Sequence, residues 1–114
     1  MMSANMNADV WAAALDALDQ PSKRELRALR EGMIVEQIAP DMYTVWNQSG
    51  ESYTVDLRGM RCECEDYQYR SARCKHLFRV AYVTGIIPIP DVTGIDPALE
   101  EQRRRFAQGQ QTTR

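Results

Sequence analysis

Apolar positions along the chain follow first a helical period and then a strand period. Trp11, Leu15 and Leu18 recur at i, i+4 and i+7 with Ala14 beside them, the spacing of one helix face. Asp9 stands at an N-cap position, so a helix is expected over about residues 10–19. Residues 1–8 lack such a pattern and are expected to be disordered. Pro21 ends the first helix. Ser22 and Glu25 have the spacing of a capping box, which predicts a second helix to about residue 31. Gly32 is placed to close it at the C′ position. Leu26, Leu29 and Met33 would face inward. Lys23, Arg27 and Arg30 would form an opposite stripe, a solvated face or part of an anionic contact.

The period then shortens to two. Residues 33–39 read as a strand, 40–41 as a turn, 42–47 as a second strand, 48–51 as a hairpin turn and 52–57 as a third strand. Tyr43, Val45 and Asn47 alternate with Thr44 and Trp46, and Tyr53, Val55 and Leu57 alternate with Thr54 and Asp56. One face of this hairpin is the more apolar. Helical spacing returns over about residues 74–84, stopped by Gly85. His76, Leu77, Val80, Ala81 and Val83 share one broad side, expected to be buried; Lys75, Arg79 and Tyr82 share the other, expected to face out. The prolines at 88 and 90 keep residues 86–90 extended. Asp96 and Pro97 open a last helix to about residue 107. With Leu99 and Phe106 as its only sizeable apolar residues, weak docking is expected. The implied fold class is α+β: N-terminal helices, a small antiparallel sheet of three strands, and a knuckle leading into a helix. The expected organisation is a disordered N-terminus (1–8), a single domain (9–90), and a C-terminal helix with a flexible tail (91–114).

The chain is 114 residues long with a net charge of −2. That length suits one domain with a modest core, and a small core profits from a metal staple. The overall charge does not announce a nucleic-acid binder, but its distribution is uneven. Residues 1–21 carry three acids and no base, whereas residues 58–79 carry six bases against three acids. No run approaches the roughly 20 apolar residues of a membrane span, and no signal-peptide pattern opens the chain. No membrane association and no small-molecule substrate are expected. An intracellular location is, cytoplasmic or, in a eukaryote, nuclear.

All three cysteines and the single histidine fall between residues 62 and 76, spaced C-x-C, nine residues, C-x-H. Cys62, Cys64, Cys74 and His76 form a complete tetrahedral donor set for one structural Zn²⁺, with no position open to water or substrate. A Cys62–Cys64 disulfide would be strained and would leave Cys74 unpaired. Cys74 and His76, at i and i+2 of a helix, face apart, and no third group stands by to orient a base. No other acid/base pair or nucleophile stands out, so no enzymatic activity is expected.

These residues, with the strand segments Tyr43-Thr-Val-Trp46 and Tyr53-Thr-Val-Asp-Leu57 before them and Leu77-Phe-Arg-Val80 after, resemble the SWIM zinc finger over about residues 41–83. The resemblance implies a ββα zinc module that contacts DNA or protein. Ala72-Arg73 stands where a Gly- or Pro-containing turn is common. Arg61, Arg73 and Lys75 flank the ligands and would offset the site's net −1 charge. Arg58, Arg70, Lys75, Arg79 and Tyr82 are the expected nucleic-acid surface, combining phosphate contacts with aromatic stacking. Few side chains suit base reading, so contacts to the backbone, of DNA first, are expected. The alternative is an adaptor that meets a protein partner through the Trp11 helix or the outer sheet face, with purely structural zinc.

Overall fold

The computed structural model describes residues 22–70 and 73–108. The expected disordered segment, the Trp11 helix and the tail beyond residue 108 lie outside those residues. The order is α1 (Lys23–Arg30), β1 (Met33–Ala39), β2 (Met42–Asn47), β3 (Ser52–Asp56), β4 (Arg61–Cys62), α2 (Glu65–Arg70), α3 (Lys75–Thr84) and α4 (Pro97–Ala107). This is an α+β fold, and the sheet is antiparallel in the order β1-β2-β3-β4.

Helix α1 starts where its capping box stands. Ser22 Oγ accepts from the Glu25 amide at 3.2 Å, and Glu25 Oε1 accepts from the Ser22 amide at 2.7 Å. This satisfies two of the donors that a helix start leaves open. Its end differs from expectation. Glu31 is the C-cap and is extended, and Gly32 does not take the left-handed conformation. Gly32 instead meets Gln48 closely: a Cβ there would lie 2.9 Å from that side chain. The glycine supplies room between the helix end and the hairpin turn.

Alternation places Met33, Val35, Tyr43, Val45 and Val55 on the buried face, where α1, α3 and Leu99 of α4 close the core. The sheet has four strands where three were expected. A tight turn after β3, with Met60 at φ 55° and its amide bonded to Leu57 O at 3.2 Å, reverses the chain and pairs Cys62 with Val55. Two residues of strand carry too little pattern to be seen in the sequence.

Helix α4 docks firmly, contrary to expectation. Beyond Leu99 it uses Gln102, whose Oε1 accepts from the Val35 amide at 3.2 Å. Asp96, its N-cap, accepts from the Met33 amide at 3.4 Å. Both amides lie on the open edge of β1, so the C-terminal helix covers an edge that would otherwise invite pairing with another chain. Residues 86–90 lie along the core, with Ile87 buried, without joining the sheet.

Candidate metal centre

The four ligand side chains come from three local structures. Cys62 ends β4, Cys64 leads into α2, and Cys74 and His76 open α3. Their ligand atoms lie within 4.8 Å of one another and all four residues are buried. Cys62 Sγ stands 3.8 Å from His76 Nδ1. Bond lengths of about 2.3 Å to sulfur and about 2.0 Å to nitrogen imply tetrahedral edges of roughly 3.5–3.8 Å, so one ion fits with little movement. None of the three cysteines is joined in a disulfide.

The surroundings favour metal-ready thiolates unequally. Cys74 is the N-cap of α3. Interaction with the Cys62 thiol, then with His76 and the Leu77 amide, outweighs burial and brings its pKa down to about 4. The Cys62 thiol is pushed up, first by its interaction with Cys74 and then by burial; the Cys64 thiol is pushed up chiefly by burial. A thiol favoured as the anion at a helix N-terminus, beside two that burial and their neighbour disfavour, suits a cation able to displace all three protons. Tyr53 of β3 stacks on the His76 ring, with centroids 4.4 Å apart and planes at 28°. Nothing in the local sequence signals this contact, because it depends on how the hairpin lies over α3.

A groove of about 560 Å³ opens beside the centre, lined by Cys64, Cys74, His76, Glu65 and Asp66, and by Lys23, Arg24, Arg27 and Lys75. Arg24 forms a forked pair with Asp66, at 2.6 and 2.9 Å. Lys75 Nζ reaches Glu31 at 2.5 Å. The stripe of Lys23 and Arg27 was visible in the sequence; Arg24 and its partner were not.

Two of the five residues expected on a nucleic-acid surface are buried, and that expectation is corrected. Arg79 is 0% exposed and Tyr82 is 1% exposed. Arg79 donates to the carbonyls of Ala28, Glu31 and Met33 at 2.8–3.0 Å and to Asp96 at 2.6 Å. The side of α3 that looked outward is covered, because α1 and α4 both pack against this helix. Arg58 is exposed and paired with Asp41 at 2.9 Å, and Lys75 lies on the groove. The Arg70 side chain lies outside the described residues.

A Cys₃His cluster fed by a hairpin and closed by a helix has the donor set and layout of a small zinc-finger module. Residues 43–85 match the family model of the SWIM zinc finger, a span that takes in β2 to α3 and all four ligand positions, as the sequence resemblance implied. No curated protein and no solved structure matches the chain. Among the described residues no helix is long and apolar enough to cross a membrane.

Proposed function

We propose that the chain is a non-catalytic module, organised by one structural Zn²⁺, that binds nucleic acid, DNA first, along the groove between α1 and the knuckle. The ion is held by Cys62, Cys64, Cys74 and His76 and supplies a rigid cross-link between the hairpin and α3. The observation that carries the reading is the convergence of Lys23, Arg24, Arg27 and Lys75 on one groove beside that centre. These groups suit phosphate, and none is placed on a free helix that could enter a major groove. Contacts should therefore go to the backbone, with weak sequence preference. Titration of labelled duplex DNA at several salt concentrations tests this. The expected slope is about −0.9 per phosphate neutralised, with about 3–5 phosphates. Joint replacement Lys23→Glu and Arg27→Glu should weaken binding at least about 10-fold while leaving the metal content unchanged. Affinity indifferent to salt rules the reading out.

A second reading, contact with another protein, is favoured by a different observation. The large exposed hydrophobic residues among those described are Ile34, Ile38 and Trp46. All lie on β1 and β2, and Ile34 is the cross-strand partner of Trp46. Exposed apolar groups gathered in this way mark contact surfaces. A second copy of the chain is the simplest occupant to test. A mass that rises with concentration, and no longer does so in Trp46→Ser, would support it; a constant monomer mass would sink it.

A further inference from the structure

Arg24 on α1 and Asp66 on α2 are 42 positions apart in sequence and meet beside the basic groove. Nε to Oδ2 is 2.6 Å and Nη2 to Oδ1 is 2.9 Å. This is the two-point fork by which a guanidinium binds a carboxylate or the two free oxygens of a phosphodiester. The pair is not sealed in: the side chains keep 37% and 28% of their exposure. Ion pairs this open to solvent are weak and exchange readily. Lys23, Arg27 and Lys75 stand round the same groove, so an anion arriving there meets further cations. Asp66 follows Cys64 by two positions, and the metal knuckle therefore fixes where the carboxylate sits.

From this arrangement we infer that Asp66 acts as a built-in substitute for phosphate, and that backbone phosphate displaces it from Arg24 when nucleic acid binds. The inference rests on the nucleic-acid reading above and names the exchange on which that reading's affinity depends. Binding swaps one partner of Arg24 for another. The affinity of the native chain is thus lower than its cations alone would give, and its groove is selective for ligands that present two oxygens in one plane. A simple tie between α1 and α2 would make the opposite demand: loss of Asp66 would leave binding unchanged or weaken it.

The experiment uses the full metal-loaded chain and a labelled mixed-sequence DNA duplex, titrated across a range of salt. Asp66→Asn is expected to tighten binding about 3- to 10-fold with the salt slope unchanged, because Arg24 reaches phosphate in both complexes and only the competition from the carboxylate is removed. Asp66→Glu should behave as the native chain. Glu65→Gln removes a neighbouring negative charge on the same groove, and should give a smaller gain without a change of slope. Arg24→Gln should weaken native binding and abolish the gain of Asp66→Asn. If the native chain binds and Asp66→Asn binds no better than Glu65→Gln, the exchange is refuted while the nucleic-acid reading stands. If neither the native chain nor Asp66→Asn binds, both are refuted. Metal content is measured for each variant. Should Asp66→Asn lose metal, the salt slope of Arg24→Gln decides: a slope shallower by about 0.9 shows that Arg24 leaves Asp66 for phosphate and upholds the exchange, and an unchanged slope overturns it.

Discussion

His76 is held from two directions, by the cluster on its Nδ1 side and by the Tyr53 ring stacked over it. A ligand ring with its orientation fixed loses less freedom on binding a metal, and groups that fix ligand orientation commonly carry about 10- to 100-fold in metal affinity. Tyr53→Ala should therefore lose metal to a competing chelator at about 10-fold lower chelator concentration. Tyr53→Phe, which keeps the ring and drops only the hydroxyl, should restore retention. Equal retention in all three would show that the stack plays no part in holding the ligand. The four ligands could be read from spacing alone, because their chemistry is local and no other Cys or His competes for the role. Tyr53 could not, since its place over His76 is set by the path of the whole hairpin. Arg79 shows the same gap from the other side. Charge and helical position pointed it at solvent, yet it is buried.

At the scale of elements, Arg79 and Asp96 form a node where α1, β1, α3 and α4 meet. Arg79 takes the carbonyls that the end of α1 and the start of β1 leave over. Asp96 balances its charge, caps α4 through the Ala98 amide and accepts the Met33 amide. Burial alone would raise the Asp96 carboxyl, but Arg79 and those amides outweigh it and hold its pKa below the usual carboxylate range. Removing one partner of a buried pair typically costs about 3–5 kcal/mol, and Asp96→Asn should destabilise by about 3 kcal/mol in denaturant titration. A depressed folded pKa gives stability that is complete above the unfolded value of about 3.9 and is lost as pH falls through the folded one. The gap between native chain and Asp96→Asn should accordingly be constant near neutrality and close below about pH 4. Any metal loss in acid affects both proteins and largely cancels in the difference. A gap that stays constant into strong acid would show that the charge of Asp96 is not what matters. Helix starts were legible here because caps are written in adjacent residues. The packing of α4 was not: its sequence offered two apolar side chains, while Gln102 and Asp96 dock it through polar groups that meet the edge of β1.

At the scale of the whole molecule, the buried apolar residues among those described form one cluster that takes in Cys62, Cys64 and Cys74 at the metal centre. Ala28, Leu29, Met33, Val35, Val45, Leu77, Val80 and Leu99 belong to the part of it built by α1, the sheet, α3 and α4, and apolar packing there should exclude water without the ion. Along residues 61–68 only Cys62 and Cys64 are buried. Helix α2 has 6 residues, too short to persist unaided, and β4 has 2. Structural zinc contributes an apparent ~10–16 kcal/mol in finger peptides, as much as the whole stability of many domains. In this chain that energy should fall mainly on the knuckle. Chelation at neutral pH should raise amide exchange across residues 61–70 by orders of magnitude. Amides of β1 and β2 and of the middle of α3 should keep most of their protection. The groove loses one wall in the same event, since Glu65 and Asp66 line it from α2, so the proposed binding to DNA should fail while the core persists. Exchange measured by mass spectrometry before and after chelation separates the outcomes. Uniform loss of protection through β1 and α4 would mean that the core cannot stand without the ion. Unchanged protection in α2 would mean that the four ligands hold no metal.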